Sequence, residues 1–540
     1  MSCHGLTDLP VWQQLKSRVE IIRRPENHLK YLLQEENRIE KFSLAGGGIF
    51  YDFSRQRVDA ETLDLLWKLA KTRKVTERFS AMVSGEKVNS TENREALHTA
   101  TRNFSDSPVL TDGKDIMPEI RKVREEIRIF SEKVRGGQLT GSTGKTFRHV
   151  VIIGIGGSYL GPEFVSHALH AYSDGRIQVH FLANVDIHAF GRMIHSIDPE
   201  TTLWVVISKS YTTTETLANE NQARAFMTQR GLDPAGHFIT VTSKGSPGDR
   251  PNDKYLGCFH MYDYIGGRYS VTSAVGGVPL SLQFGYALFE RFLKGAEAMD
   301  LHAQQAAPEK NVPLTAALLS IWNINFLTYQ AQGIIPYADA LRKLPAHIQQ
   351  LSMESNGKSV TLHGEKLDEP AGAIVFGEPG TNAQHSFFQL AHQGRPFPID
   401  FIAAIQAPYP EFNARSKGVT NHQELWANLI SQPLALAVGR ESDDPARRFE
   451  GNRPSSILLL NDLSPENIGR LLAFYEAKTV FEAFIWGINP FDQFGVELGK
   501  TIASDIRKEM ALKNEKDDHA FSQVDPTARF YLNAFFKGGL

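Results

Sequence analysis

The chain has 540 residues, enough for two or three domains with sizeable cores. A formal net charge of −3, with 22% charged residues, gives no footing for a nucleic-acid or anionic-membrane partner. Two cysteines, Cys3 and Cys258, support neither a disulfide framework nor a cysteine metal site, and they fit a reducing, cytoplasmic compartment.

The first twenty residues lack a continuous apolar core, so no secretory signal is expected there. Up to about residue 120, apolar positions recur at helical spacing, as in VWQQLKSRVEIIRR and AETLDLLWKLAKTRKV. This predicts a mostly helical lead-in. Gly46, Gly47 and Gly48 mark a turn before the short apolar segment Ile49 to Phe53.

From 120 to about 290, strands and helices alternate, the pattern of a doubly wound parallel α/β sheet. The expected strands are His149–Ile153, Gln178–Leu182, Leu203–Ile207, His237–Thr242 and Phe259–Tyr262. Ligands on such sheets bind beyond the carboxyl ends of the strands. GIGGSYLGP (154–162) sits at such an end. Its glycine spacing fails as a dinucleotide fingerprint because Tyr159 stands at the third glycine position. Leu160 rules out a nucleophile elbow around Ser158. A glycine turn that admits a ligand to the backbone N–H groups remains, beside a plain tight turn. GSTGKT (141–146) ends like a P-loop, but Leu139 replaces the required glycine and the segment precedes its strand.

The richest stretch is 201–219, TTLWVVISKSYTTTETLAN. Leu203–Ile207 is a continuous apolar run suited to a strand buried on both faces. Six hydroxyl residues then fall within nine positions, from Ser208 to Thr216, together with Lys209. Serine and threonine favour a helix start, where free N–H groups and the helix dipole attract anions. A phosphomonoester cradle is expected here, against the alternative of an over-capped helix. GGRYS (266–270) follows the last strand of this unit. It would place Arg268 as a fixed cation near an oxyanion, or else in a surface ion pair.

Residues 294 to about 312 are polar and small, and read as a linker or an exposed helix end. The uncharged stretch Asn311–Ala338 carries too many amides and prolines for a lipid-facing span, so a buried helix is expected. A second α/β unit follows, with strands at Ile334–Tyr337, Ala373–Phe376, Phe401–Ile405 and Ser456–Leu460. Ser464-Pro465-Glu466 and Asp525-Pro526 open helices. The closing ARFYLNAFF needs a surface to cover its aromatics. In this half, Gln350 and Glu354 share a helical face by their spacing, as Gln493 and Lys500 would seven residues apart. His385 lies after a polar turn. Each of these alone has an ordinary structural reading. No histidine grouping has zinc spacing.

Taken in order, GIGGSYLGP, SKSYTTTET, GGRYS, MESNGK, GTNAQHSFFQLAHQG and FDQFGVELGK resemble the glucose-6-phosphate isomerase family across residues 154–500. The resemblance implies two sugar-isomerase (SIS-type) α/β/α domains, at 120–293 and 331–508. A helical N-terminal region (1–119), a linker with a buried helix (294–330) and a C-terminal helical arm (509–540) complete the expected division. It implies aldose–ketose isomerisation of a hexose 6-phosphate without metal or organic cofactor, in a homodimer. Glu354 then resembles the family's base, Arg268 the cation beside the enediolate, and His385 the ring-opening group, reaching the site from the other subunit. Lys500 resembles an assisting group. Ser208, Lys209, Ser210 and Thr213 resemble phosphate binders, and Gly157, Ser158, Gln350 and Gln493 further substrate contacts. Tyr159, Ser210, Tyr211, Thr272 and Phe494 depart from residues common in the family. A sugar-phosphate-binding regulator, an isomerase of another phosphosugar and a nucleotide-binding enzyme remain as alternatives.

Overall fold

Apolar runs dense in β-branched residues form the two sheets that carry the chain. The computed structural model describes residues 5–251 and 253–540, so Cys3 lies outside the described residues. Two compact units divide at Phe491 and Asp492.

In the first unit, one sheet contains the hairpin strands β1 (Ser43–Gly46) and β2 (Ile49–Asp52) and four strands from the second half of the sequence. The other consists of β3 (His149–Ile153), β4 (Gln178–Leu182), β5 (Thr202–Ile207), β6 (Phe238–Ser243) and β7 (Gly257–Met261). Its order is β4-β3-β5-β6-β7 and every pair is parallel. Side chains alternate between two cores. Val150, Ile152, Leu203 and Val205 enter one, and Val151, Ile153, Trp204 and Val206 enter the other. Burying each such side chain contributes on the order of 1.5–3 kcal/mol.

The four later strands are β8 (Ala331–Pro336), β9 (Ile374–Gly377), β10 (Ile399–Ala404) and β11 (Ser455–Leu460). The full order is β1-β2-β11-β10-β8-β9, with the last four strands parallel and the hairpin antiparallel at one edge. The N-terminal lead-in is helical apart from two short hairpins and isolated pairs, and its β1–β2 hairpin extends the second sheet. In both sheets the chain leaves one central strand in opposite directions. This creates switch points between β3 and β5, and between β8 and β10.

The helices that position the site are α1 (Leu160–Ala168), α2 (Thr214–Gln229), α3 (Tyr286–Gln305), α4 (Val312–Ile321), α5 (Leu344–Asn356) and α6 (Pro465–Trp486). Three expectations need correction. Residues 294–305, read as a linker or an exposed helix end, are the second half of α3 with one face buried. Ala296, Met299, Asp300 and Ala303 are buried, and the intervening polar residues disguise that face. Asp300 is inside because Arg102 Nε and Nη2 donate to it at 2.6 and 2.7 Å, while Arg102 Nη1 donates to Glu476 on α6. The stretch Asn311–Ala338 is buried, but helix covers only its first half. After α4 a π-type turn (Trp322–Phe326) ends the helical path, and β8 begins at Ala331. Ser464 precedes α6 but its side chain caps nothing. Its N–H donates to Asp462 Oδ1 at 2.9 Å instead.

The second unit has two helices, α7 (Glu497–Glu515) and α8 (Pro526–Lys537). Asp525 caps α8 by accepting from the N–H groups of Thr527 and Ala528. Phe530, Tyr531 and Phe535 on α8 are exposed. Among the described residues no helix is long and apolar enough to cross a membrane.

Candidate functional site

The β3/β5 switch point gathers the glycine turn after β3, the hydroxyl-rich loop after β5 and the GGR turn after β7. The two glycine turns touch backbone to backbone. A Cβ on Gly157 would lie 2.1 Å from the Gly267 carbonyl carbon and 2.7 Å from the Arg268 nitrogen. The bare backbone at 157 therefore seats the GGR turn, a use that neither of the two sequence alternatives, a ligand-admitting turn or a plain tight turn, had indicated. Gly156 makes the bend with φ +59°. Ser158 ends this turn and is half-buried.

Arg268 is only 2% exposed and is held on several sides. Its Nε donates to Ser355 Oγ at 2.6 Å and its Nη2 donates to the Pro490 carbonyl. Tyr269 Oη and Ser355 Oγ share a hydrogen bond of 2.9 Å. Nη1 lies 3.7 Å from Glu354 Oε2. Glu354 is one turn above Gln350 on α5, and Gln350 Nε2 donates to the same carboxylate oxygen at 2.9 Å, as the shared face predicts. Gln350 Oε1 is buried with no hydrogen-bond partner among the described residues. The Gly156 turn approaches this amide, since a Cβ on Gly156 would lie 3.2 Å from Gln350 Nε2. The arrangement is a carboxylate and a guanidinium side by side, next to an unsatisfied amide oxygen. It can exchange a proton and stabilise a developing oxyanion.

The hydroxyl-rich loop is fixed to the end of β6. Lys209 O accepts from the Ser243 N–H at 3.0 Å and from Thr242 Oγ1 at 3.2 Å. Helix α2 starts at Thr214, inside the hydroxyl cluster as expected, and Thr213 as its N-cap residue makes no side-chain capping bond. The first N–H groups of α2 thus carry no such cap, as an anion site requires. Ser208 Oγ donates weakly to Thr213 Oγ1 at 3.4 Å, and Ser210 and Thr212 share a hydroxyl bond of 2.6 Å. Tyr211 leaves the cluster. It adopts φ +56°, and its buried hydroxyl bonds to Glu220 and to Tyr255.

Lys209 is placed differently from a bare point charge. Its Nζ donates to the carbonyls of Asp263 at 2.9 Å and Ile265 at 3.2 Å, so it ties the cradle to the segment entering the GGR turn. Burial pushes its pKa down, and Asp263 opposes that shift.

His385 follows the short helix Gly380–Gln384 and is exposed. Its backbone N–H donates to the Asn382 carbonyl at 3.0 Å. Gln493 and Lys500 belong to the second unit and are both exposed. They do not share a helical face: α7 begins only at Glu497, and Gln493 has φ −152° and ψ 48°. The sequence reading missed Ser355, Tyr269 and the Pro490 carbonyl. Ser355 lies inside the MESNGK motif, but nothing in that motif indicates its partner across the fold.

The Phosphoglucose isomerase family profile matches residues 52–525. The glucose-6-phosphate isomerase of Desulfosudis oleivorans is 63% identical over 543 aligned positions, covering 100% of both chains. The cytosolic glucose-6-phosphate isomerase of Arabidopsis thaliana is 44% identical and covers 94% of this chain and 93% of its own. The crystal structure of a glucose-6-phosphate isomerase from Chlamydia trachomatis superposes with a TM-score of 0.89 at 38% identity, covering 99% of both chains.

Proposed function

The chain belongs to the phosphoglucose isomerase family, and on that premise we propose how its residues divide the work. It is an aldose–ketose isomerase that interconverts glucose 6-phosphate and fructose 6-phosphate. The observation that carries the assignment of roles is the Glu354 carboxylate 3.7 Å from the buried Arg268 guanidinium, whose turn Lys209 ties to the loop before α2.

The uncapped N–H groups of α2, with Ser208, Ser210 and Thr213, bind the phosphate. Lys209 adds positive charge while tying the cradle to the GGR turn. This non-reacting phosphate fixes the sugar so that its C1 and C2 face Glu354. Glu354 takes the proton from C2 of the open-chain aldose and returns it to C1. The negative charge that forms on the enediolate oxygen is met by Arg268, which the Ser355 and Pro490 bonds preorganise. Gln350 Oε1 accepts from a substrate hydroxyl, and the backbone at Gly157 and Ser158 borders the sugar. His385 opens the pyranose by moving a proton at the ring oxygen, a task suited to imidazole.

The exposed His385 side chain and the exposed aromatics of α8 support a homodimer in which His385 serves the partner's site. The cytosolic plant relative supports a cytoplasmic location. Glu354→Gln tests the scheme: isomerisation is expected to fall by at least about a thousandfold while fructose 6-phosphate still binds. Near-parental turnover would remove Glu354 as the base.

A further inference from the structure

The second sheet has its own switch point, between β8 and β10, and a cavity of about 430 Å³ lies there. It is built by the residues that leave β8 (Tyr337 to Arg342), those that leave β10 (Ala404 to Tyr409) and the C-terminal end of α1 with the turn after it. Its position in the second sheet therefore corresponds to that of the phosphate cradle in the first.

The lining differs in chemistry from the cradle. Ala168, Ala338, Ala340, Ala404 and Ala407 leave smooth walls without bulky side chains. Three phenol rings, those of buried Tyr337 and of Tyr172 and Tyr409 at 41% and 44% exposure, complete the apolar lining with Pro408, Leu425 and Leu463. Arg342 supplies charge. Its Nη2 donates to His167 Nδ1 at 3.2 Å, which leaves the imidazole N–H on Nε2 as a further donor. Among the described residues the only acidic lining residue, Asp339, is 80% exposed in its side chain and 3.8 Å from Arg342 Nη1, too solvated to neutralise it. Flat small-residue walls, aromatic rings and a guanidinium suit a planar ring carrying one negative charge.

We infer that this cavity is a second ligand site, distinct from the isomerisation centre, which binds a small planar aromatic anion. The planar part lies between the alanine walls and the carboxylate or equivalent group pairs with Arg342.

Calorimetric titration of the full chain with 2-naphthoate tests this. One saturable site per chain is expected, with the same affinity in saturating fructose 6-phosphate. The uncharged 2-naphthamide should bind about tenfold more weakly, as should 2-naphthoate to Arg342→Ala, the loss expected for one charge-assisted hydrogen bond. Ala404→Phe, which fills the cavity, should abolish binding. Parental isomerase turnover in both variants checks that they fold, and if Ala404→Phe does not, Arg342→Ala decides. Absent saturable binding, binding that neither variant changes, or displacement by fructose 6-phosphate would each overturn the inference.

Discussion

Ser355 follows Glu354 in the sequence and holds Arg268 through its hydroxyl, so one turn of helix presents the base and fixes the cation. A buried hydrogen bond to a charged group is worth about 1.5–3 kcal/mol. Ser355→Ala should therefore lower kcat by roughly tenfold or more with little change in KM, because the bond acts on the transition-state charge. Ser355→Thr, which keeps the hydroxyl, should recover most of the rate. Steady-state kinetics on the three proteins would show it, and a pure KM effect would disprove the positioning role. At Lys209 the opposite pattern is expected. Lys209→Ala removes positive charge at the cradle and two bonds to the loop before Arg268, so KM for fructose 6-phosphate should rise about tenfold or more. An unchanged KM would detach Lys209 from phosphate binding.

Helix α5 carries the base, and its seat depends on His347, two turns below Glu354. His347 is 2% exposed, its two ring nitrogens lack partners among the described residues, and it stacks on Phe164 of α1 with centroids 5.8 Å apart. Burial pushes its pKa from 6.5 down to about 4. The folded chain thus keeps this imidazole neutral where the unfolded chain would protonate it. Its contribution is fully present above pH 6.5 and is lost as pH falls towards 4, up to about 3 kcal/mol. His347→Phe keeps the stacking, so its stability should fall less between pH 6.5 and 4 in denaturant titrations; equal slopes would contradict the assignment. Much of this element level was legible in the sequence. HVVII and LWVVI announce buried strands because no polar residue interrupts them, and the hydroxyls after Ile207 announce the helix start. The rest depends on tertiary partners. Asp300 looks like part of a polar linker until Arg102 is placed beside it, and Tyr211, amid the hydroxyl run, shows its inward turn only once Glu220 and Tyr255 are placed against it. Gly157 looks like a ligand turn until Gly267 is found against it.

Two sheets with equivalent switch points divide the molecule between a cradle rich in hydroxyls and a cavity rich in alanine. The family motifs name every candidate residue in the sequence except Gln350, but GTNAQHSFFQLAHQG covers two short helices and FDQFGVELGK runs from a loop into α7. They could not show that His385 lies exposed and, among the described residues, hydrogen-bonded through its backbone alone, which supports the shared-site reading that the resemblance implies. Co-folded Glu354→Gln and His385→Ala chains test that reading, since only a mixed dimer can assemble one intact site. Random pairing should restore about a quarter of parental activity, whereas each variant alone is nearly inactive. No recovery would place His385 and Glu354 of one chain in the same site.

The most direct measurement is fructose 6-phosphate formation from glucose 6-phosphate in D2O, by the parental chain and by Glu354→Gln. A carboxylate base that carries the proton between C2 and C1 exchanges it with solvent in part. The parental product should therefore carry deuterium at C1, and Glu354→Gln should bind the sugar phosphate without forming product. Product free of deuterium, or formed at the parental rate by Glu354→Gln, would contradict proton transfer through Glu354.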